Sequence, residues 1–362
     1  MRIAVDAREL SGKPTGVGRY LAGLLREWTR PGAPHTHEFL LYSHRSIENS
    51  AGCSVREVRG TGGTLWEQRA LPAVLRADNV DVLFSPAYST PVFTDIPRVV
   101  ALHDISFVAH PEWFAWREGL RRRTLARRSA AVSRRVITIS QFSKSEIISR
   151  LGVDPSKIAV IPPGIDSPVA AGTGEAKHLH LPDGEHLLYV GSIFNRRHIP
   201  GLIAAFTQVA LRHEGAWLHL VGDNRSHPFE DVTGLIEASP MARRIEWHQY
   251  APDEAVRELY RQARGFVFLS EYEGLGLTPL EALAAGIPSL LLDTAVARES
   301  CGDAASYVPL GPASQIADAI ERLLYDAETR RALANAAPAT LARYDWARAA
   351  RETLAVLEDA AR

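Results

Sequence analysis

The chain has 362 residues, a formal net charge of −1 and two cysteines. Its length suits two domains better than one, and its near-neutral charge indicates no polyelectrolyte partner such as nucleic acid. Cys53 and Cys301 fit neither a disulfide framework nor a metal cluster, so a reducing compartment is the expected location. The N-terminus leads directly into a strand without a signal peptide, and no apolar run reaches the roughly twenty residues that span a bilayer. We therefore expect a soluble, cytoplasmic protein, with peripheral membrane contact still open.

Short apolar strands alternate with amphipathic helical stretches along most of the chain, which predicts parallel sheets built from βαβ units. Helices are predicted between the strands, for example at Arg19–Trp28, Pro200–Leu211 and Asp253–Ala263. The predicted strands are Ile3–Val5, Val82–Phe84, Val99–Leu102, Val136–Thr138, Ala159–Ile161, His186–Val190, Trp217–Val221, Gly265–Leu269 and Ser289–Leu292.

A stretch rich in proline, glycine and small residues interrupts this alternation from Pro162 onward. We interpret residues 167–181 as a linker between two doubly wound, Rossmann-like domains at 1–166 and 182–340. Residues 341–362 are expected to form a C-terminal helix that packs back toward the first domain. Ligands of open parallel sheets bind beyond the carboxyl ends of the strands, so two such domains facing each other predict a cleft that holds the functional site.

Two loops have residues suited to binding a diphosphate. The first carries Gly16 and Gly18 before a predicted helix, where backbone N–H groups and the helix dipole favour an anion, although a plain strand-to-helix turn explains it equally well. The second carries Arg196 and Arg197 after the strand at His186–Val190. Their planar guanidinium groups match phosphate oxygens, and a solvated arginine pair is the alternative.

The segment SEYEGLGLTPLEALAAGIP, residues 270–288, is the third such loop. Thr278 followed by Pro279 predicts a helix start, and Glu281 three residues after Thr278 would complete a capping box. That interpretation leaves Glu273 and the glycines unexplained. In the other interpretation Glu273 accepts hydrogen bonds from a sugar, Glu281 accepts them from a ribose, and the backbone between them holds the phosphates. A nucleotide sugar has these three parts in this order.

The paired glutamates within EGLGLTPLEALAAGIP resemble the signature of retaining glycosyltransferases of family 4, which have the GT-B fold. The resemblance runs almost end to end, through VDAREL, TGVGRY, the Trp66–Gln68 segment, FSPAYSTP, ALHDISFVAHPEWF, ITISQFSKSEI, IPPGID, YVGS…RRH, LVGD and ELYRQARGFVFLSEYEGLGL, and it points to members that act on bacterial polysaccharides. It implies an acceptor-binding first domain, a nucleotide-sugar-binding second domain and no metal or other cofactor. The expected reaction is transfer of a sugar, with a preference for mannose from GDP-mannose, to a glycan or lipid-linked glycan in cell-surface polysaccharide or lipopolysaccharide biosynthesis.

The resemblance also implies roles for individual residues. Glu273 contacts the donor sugar, and His103 lies near the reacting centre, where a hydrogen-bonded structural histidine is the alternative. Arg197 stands where the family usually has a phosphate-binding lysine, while Ser192 replaces a usual arginine, for which Arg196 can substitute, and Leu275 replaces a phenylalanine. The remaining donor-binding positions are Gly16 and Gly18 in the first domain, Tyr250 and Ala251 at the nucleobase, Gly274, Gly276, Leu277 and Thr278 through their backbone, and Glu281 at the ribose.

Three alternative functions have different sequence support. A UDP-sugar-dependent transferase of the same fold and a non-catalytic nucleotide-sugar-binding protein both keep the glutamate pair. A dinucleotide-binding oxidoreductase is disfavoured, because the loop after the first strand lacks GxGxxG and the acidic residue about twenty positions later.

Residues 111–135 concentrate eight arginines in an otherwise neutral chain. If the segment is one helix, Trp113, Trp116, Leu120 and Ala131 share a face, which suits an interfacial helix on an anionic membrane. The alternative is a solvated helix whose tryptophans pack into the core. Because related enzymes often act on lipid-linked acceptors, we expect peripheral contact with the inner face of the cytoplasmic membrane.

Overall fold

The computed structural model describes residues 1–12, 16–169 and 181–362. Its contacts divide the chain into two compact units. Unit 1 consists of Met1–Gly164 and Tyr344–Arg362, and unit 2 is Ile165–Arg343. Most of the predicted linker, residues 170–180, lies outside the described residues.

Unit 1 contains a seven-stranded sheet in which every strand pair is parallel, with the order β3-β2-β1-β4-β5-β6-β7. Its strands are β1 Arg2–Asp6, β2 Glu38–Ser43, β3 Ser54–Glu57, β4 Val82–Ser85, β5 Arg98–Ala101, β6 Arg135–Thr138 and β7 Ile158–Val160. Its helices are α1 Gly16–Trp28, α2 Leu71–Ala77, α3 Ser106–Ala109, α4 Trp116–Val132, α5 Gln141–Leu151 and, at the end of the chain, α13 Trp346–Ala361.

Helix α13 belongs to unit 1 through contacts with α1. Trp28 Nε1 donates to the Ala350 carbonyl at 2.9 Å, and Leu357 is fully buried in the same cluster as the residues of β1. Gly23 on α1 is required here, because a Cβ atom at this position would lie 2.5 Å from the Trp346 ring. The last helix therefore completes the core of the first unit.

Unit 2 contains a second all-parallel sheet of six strands, in the order β10-β9-β8-β11-β12-β13. The strands are β8 Glu185–Val190, β9 Ala216–Val221, β10 Ile245–His248, β11 Ala263–Phe268, β12 Ser289–Leu292 and β13 Ala305–Val308. The helices are α6 Ile199–Arg212, α7 Val232–Glu237, α8 Asp253–Gln262, α9 Leu277–Ala284, α10 Ala295–Cys301, α11 Ala313–Tyr325 and α12 Ala327–Leu341.

The predicted α/β class with two doubly wound, Rossmann-like units is confirmed. In each sheet the strand order reverses at the first strand of the unit, β1 or β8, which is the switch point where ligands bind in such folds. All nine predicted strands are present, because strands covered on both faces are almost continuously apolar. Four strands were not predicted, namely β2, β3, β10 and β13.

The predicted capping box at Thr278 and Glu281 is wrong. Helix α9 begins at Leu277, so Thr278 and Pro279 already lie inside the first turn. Its N-cap is Gly276, with φ +86° and no side-chain capping hydrogen bond. A glycine adopts this left-handed conformation at little cost, which lets the helix begin before the threonine.

The basic segment, residues 111–135, contains a 3₁₀ turn, helix α4 and the first residue of β6 instead of one helix. Trp113 ends a separate 3₁₀ turn, Pro111–Trp113, where its ring stacks on His110 at 3.9 Å, so its predicted place on the helical face is wrong. Trp116 begins α4 and is 69% exposed, and Leu120 one turn later is 50% exposed. The alternative in which both tryptophans pack into the core is therefore wrong for Trp116.

Candidate active site

The polar and glycine residues of unit 2 gather where β8 and β11 end. These strands are neighbours in the sheet, and parallel pairing places their carboxyl ends at one edge. Gly191 follows β8 with φ +146°, and a Cβ there would lie 2.7 Å from Arg197 Nη1. Glycine at this position therefore lets the arginine side chain pack directly against the backbone after the strand.

Arg197 and Glu273 form an ion pair across this edge. Arg197 Nη2 donates to Glu273 Oε1 at 2.8 Å, Nε donates to the same oxygen at 3.1 Å, and Nη1 donates to the Ser192 carbonyl at 2.6 Å. The side chains of Arg196 and Arg197 are both buried, so the alternative of a solvated arginine pair is wrong. Two residues with separate roles in the sequence prediction are thus in direct contact.

The arginines determine the charge state of the glutamate. Burial by itself would raise the pKa of Glu273, but the positive charges of Arg197 and Arg196 hold that pKa below its ordinary value. Burial by itself would lower the pKa of Arg197, and the charge of Glu273 raises it instead. Both side chains are therefore charged at neutral pH, and the three groups together carry a net charge of about +1.

The ion pair leaves one carboxylate oxygen for a ligand. The Ser270 hydroxyl also donates to Glu273 Oε1, at 2.8 Å. Among the described residues, Oε2 has no hydrogen-bond partner, and the Glu273 side chain keeps 17% of its exposure. Ser270, Glu273 and Gly276 line one small pocket, together with apolar side chains of β11, β12, α9 and α10. Glu273 can therefore accept a hydrogen bond while Oε1 keeps its orientation fixed.

Sequence reasoning missed the residues that support the arginines. Arg196 lies over the Phe194 ring at 4.3 Å, and Arg197 lies over the Phe268 ring at 4.7 Å. The Arg196 carbonyl also accepts a hydrogen bond from Glu271 N at 2.9 Å, which ties the two loops together. Phe194 precedes the arginines and Phe268 ends a strand, so aromatic residues flanking the polar motifs were the available signal.

The glycine-rich segment leads into the N-terminus of α9. Gly274 precedes the N-cap Gly276, and Leu277 and Thr278 are the first two helical residues. N–H groups at this end of a helix have no intrahelical acceptor and carry partial positive charge, so they suit a phosphate. Glu281 is half-buried one turn farther along the helix.

The remaining predicted donor residues of unit 2 follow β10, at the edge of the sheet. Tyr250 is 66% exposed and Ala251 is half-buried on the loop before α8. They share the carboxyl edge with the arginines, although β9 lies between β10 and β8. The structure brings Arg196, Arg197 and Glu273 into one cluster and places Tyr250 and Ala251 farther along the same edge.

Unit 1 carries the other predicted residues. Gly16 and Gly18 lie in the first turn of α1, and the preceding residues 13–15 lie outside the described part of the chain. His103 follows β5, and its ring meets Tyr20 edge-on at 4.4 Å. Its Nε2 atom is shut off from solvent and has no hydrogen-bond partner among the described residues. Burial lowers the pKa of His103 to about 4, so the imidazole is neutral at neutral pH.

Unit 1 also has a buried charge cluster after β1 that the sequence analysis did not predict. Arg8 Nη2 contacts Asp6 Oδ2 and Glu67 Oε2, each at 2.6 Å, and Nη1 donates to the Gly62 carbonyl at 2.8 Å. The Ser89 hydroxyl donates to the same oxygen of Glu67 at 2.6 Å. The signal was an acidic residue at a strand end with an arginine two positions later.

This arrangement defines a two-unit α/β protein whose second unit presents cationic groups and helix-start N–H groups at a switch point. Residues 14–167 match the family described as Glycosyltransferase Family 4, and residues 174–340 match the family described as Glycosyl transferases group 1. The chain belongs to these glycosyltransferases, and it is an enzyme of that class with the GT-B fold.

Proteins similar to this chain agree with that family. It is 25% identical to the O-antigen chain mannosyltransferase B of Escherichia coli over 71% of this chain and 68% of the relative. It is 28% identical to the GDP-mannose:cellobiosyl-diphosphopolyprenol alpha-mannosyltransferase of Xanthomonas oryzae over 82% and 78%, respectively. The solved structure of Anabaena HepE in complex with UDP and glucose superposes with a TM-score of 0.77, at 19% identity and 99% coverage of both chains. In the described residues, no helix has the length and apolar character needed to cross a membrane.

Proposed function

We propose that the protein transfers mannose from GDP-mannose, with retention at the anomeric carbon, to a glycan or lipid-linked glycan of a cell-surface polysaccharide. The observation that carries the proposal is the buried Arg197–Glu273 pair beside Arg196 and the N-terminus of α9. In this cluster, guanidinium groups suited to a diphosphate lie beside a carboxylate, that of Glu273, whose Oε2 atom has no hydrogen-bond partner among the described residues. Those are the two groups that a nucleotide sugar requires next to each other.

The mechanism follows from where charge develops during transfer. Departure of the nucleoside diphosphate leaves negative charge on its oxygens, and Arg196, Arg197 and the N–H groups at the start of α9 are already in place to stabilise it. Glu273 Oε2 accepts hydrogen bonds from the sugar and adds negative charge near its oxocarbenium-like state. Glu281 accepts a hydrogen bond from the ribose. The acceptor attacks from the side of the leaving group, which retains the configuration.

His103 is assigned to the transfer step and not to nucleotide binding. Its ring is neutral and therefore offers no positive charge to a diphosphate. A His103→Asn variant should therefore lose turnover while it keeps its affinity for the nucleoside diphosphate. Loss of nucleotide affinity to the same extent would contradict this assignment.

The identity of the donor rests on the relatives. One of them is named for GDP-mannose and a diphosphopolyprenol-linked acceptor, and another is an O-antigen mannosyltransferase. A UDP-sugar is the second candidate, because the superposing HepE structure contains UDP and glucose. Tyr250 and Ala251 are the residues we assign to the base.

A direct assay separates these donors. The full chain is incubated with GDP-mannose, UDP-glucose or UDP-N-acetylglucosamine and a lipid-linked acceptor, and the released nucleotide and the anomeric configuration of the product are measured. We expect GDP release with an α-linked product. Turnover of UDP-sugars but not of GDP-mannose would show that the donor is a UDP-sugar. A product of inverted anomeric configuration would contradict retention. Tight nucleotide binding without turnover of any donor would indicate a non-catalytic binding protein.

We further propose that transfer needs no metal ion, since two arginines and helix N–H groups supply positive charge to the diphosphate. Turnover should persist in EDTA at the rate of the untreated enzyme. Activity that vanishes in EDTA and returns with manganese would contradict this proposal.

Helix α4 provides a basis for contact with an anionic membrane. Trp116 and Leu120, one turn apart on α4, are exposed, and so are the residues that follow them, Arg117 and Arg121. Arg121 Nη1 donates to Thr64 Oγ1 at 3.0 Å, which places the 67% exposed Leu65 beside this helix. Large apolar side chains among exposed arginines match the headgroup region of an anionic bilayer.

The contacts of each arginine determine which ones are suitable for a vesicle-binding test. Arg122 lies over the rings of Tyr88 and Phe114, so its replacement would also disturb packing. Arg117, Arg127 and Arg128 are exposed and are the ones to change to glutamate. The triple variant should lose co-sedimentation with anionic vesicles, and binding of the unaltered chain should weaken with salt.

A matched control changes three exposed arginines elsewhere on unit 1, Arg30, Arg45 and Arg59, to glutamate. This control has the same change in net charge, so it should keep most of the vesicle binding if α4 makes the contact. Equal, negligible pelleting of all three proteins would reject the proposal.

A further inference from the structure

Four side chains on one face of the unit 2 sheet lie outside the donor-binding cluster. His186 lies on β8, His219 on β9, and Glu246 and His248 on the edge strand β10. Glu246 pairs in register with His219, and His248 is two residues farther along the same strand, so both point to the same face. No step of the proposed transfer uses these residues.

Three ligand-type atoms of this group lie close together. His219 Nδ1 is 3.2 Å from Glu246 Oε2, and His248 Nε2 is 3.4 Å from the same oxygen. All three atoms lie within 4.8 Å of one another. Two ligand atoms bound to one tetrahedral metal ion about 2 Å away are separated by about 3.3 Å, so both short distances match a shared ion.

The two imidazole nitrogens lack hydrogen bonds although they are buried. Neither His219 Nδ1 nor His248 Nε2 has a hydrogen-bond partner among the described residues, despite the nearby carboxylate oxygen. The side chain of His219 is only 1% exposed. Both nitrogens therefore lie beside the Glu246 oxygen without hydrogen-bonding to it, as ligands of a common ion do.

A chain of hydrogen bonds sets the tautomer of His219. His186 Nε2 lies 3.0 Å from the Pro182 carbonyl, which only accepts, so that nitrogen carries the proton. In a neutral His186 ring, Nδ1 is then the acceptor for His219 Nε2–H at 2.9 Å. The lone pair of His219 Nδ1 is thereby left on the side of Glu246. This is the arrangement by which an outer histidine orients a metal-binding one.

We propose that His219, Glu246 and His248 form a binding site for a divalent transition-metal ion of the zinc type, with His186 as the residue that orients His219. Two imidazoles and one carboxylate are a ligand set for such ions, and water completes the coordination. The ion links β9 to the edge strand β10. The ion takes no part in the proposed transfer, which needs no metal.

The test uses the full chain without a histidine tag, stripped of metal with a chelator and dialysed. Cobalt(II) is titrated while the visible spectrum is recorded, and zinc(II) affinity is measured by competition with a chromophoric chelator. We expect one cobalt ion per chain, with the absorption bands of four-coordinate cobalt, and its displacement by zinc. Glu246→Gln and His248→Gln should each lower the affinity at least tenfold, and His186→Asn should lower it about 10–100-fold.

A matched control comes from the same unit. His213 Nε2 lies 2.8 Å from Glu321 Oε1 at a surface position that is not part of the three-ligand group, so His213→Gln should leave metal affinity unchanged. Melting curves in chelator show whether each variant folds. Zinc should raise the melting temperature of the unaltered chain and of His213→Gln but not of Glu246→Gln. Absence of cobalt binding, or binding that survives both Glu246→Gln and His248→Gln in folded protein, would overturn the proposal.

Discussion

Each unit holds a buried arginine after its first strand, but the two clusters carry opposite net charge. In unit 1, Arg8 contacts two carboxylates, those of Asp6 and Glu67. In unit 2, Arg197 contacts one carboxylate, that of Glu273, and Arg196 adds a second positive charge. In the first cluster, two carboxylates more than neutralise the charge of Arg8. In the second cluster, two arginines outnumber one carboxylate, which leaves positive charge available for an anionic ligand. We therefore propose that the same structural position serves stability in one unit and ligand binding in the other.

The largest loss of stability is expected from Arg8→Ala. This variant tests whether the charge cluster of unit 1 serves the fold. The change leaves two buried carboxylates without their cation, so the free energy of unfolding should fall by at least about 3–5 kcal/mol. Chemical denaturation followed by circular dichroism measures the loss. If the variant stays folded, its affinity for nucleoside diphosphate should be unaltered, and a selective loss of that affinity would contradict the division of roles.

Arg197→Ala should affect both stability and binding. It leaves Glu273 buried without its main partner, at a cost of about 3 kcal/mol in unfolding free energy. It also removes a charge-assisted contact to phosphate, so calorimetry should show a loss of roughly 1.5–3 kcal/mol in nucleoside diphosphate binding and little change for the nucleoside.

The double variant Arg197→Ala, Glu273→Ala separates these two effects. Removing both charges should recover much of the stability without recovering the affinity. If stability and nucleoside diphosphate affinity recover together, Arg197 stabilises the fold and does not itself bind the phosphate.

The pH dependence of stability tests His103. Its pKa in the folded protein is about 4 against an ordinary value of 6.5, so the unfolded chain takes up a proton first as the pH falls. The neutral His103 ring contributes fully to the free energy of unfolding above pH 6.5. This contribution, up to about 3 kcal/mol, is lost as the pH falls toward 4. Denaturant titrations across this range should show a shallower decline for His103→Gln. If stability declines equally with pH in both proteins, the pKa of His103 is the same in the folded and the unfolded chain.

Glu281→Gln should have the smallest effect on stability. The N-cap of α9 is Gly276, and Glu281 lies beyond the first turn, so we expect a change within about 0.5 kcal/mol. Donor affinity should fall about tenfold, because a charge-assisted hydrogen bond to the ribose becomes neutral. A clear drop in melting temperature with unchanged affinity would show a purely structural role.

Local sequence patterns predicted much of the fold. The nine predicted strands are present because a strand covered by helices on both faces must be apolar over nearly its whole length. Two of the strands that were not predicted, β3 and β10, carry weaker patterns, whereas β2 is a buried apolar run, Glu-Phe-Leu-Leu-Tyr-Ser, that the sequence analysis missed. β3, with the sequence Ser-Val-Arg-Glu, is an exposed edge strand that pairs with β2, and β10 is the corresponding edge strand of unit 2. Pairing with a neighbour, which a local pattern does not contain, makes them strands.

The residues of the proposed donor-binding cluster were also identified from residue types and order. The glutamates, the arginines after β8 and the glycines before α9 together indicated a nucleotide sugar. The sequence did not show that Arg197 and Glu273, 76 residues apart, share a hydrogen-bonded pair, because this contact depends on β8 and β11 being neighbours. Sequence reasoning likewise placed the helix start at Thr278, whereas the backbone conformation of Gly276 decided it.

The sequence by itself determined the α/β class, the alternating elements and the identity of the residues available for phosphate and sugar. Those properties depend on hydrophobic periodicity and side-chain chemistry, which are local. Tertiary structure alone decided which charges neutralise one another, which carboxylate oxygen remains for a ligand, and that His219, Glu246 and His248 meet on one face of a sheet. These depend on strand order and burial, since the energy of a charged or metal-binding group is set by neighbours that are distant in the chain.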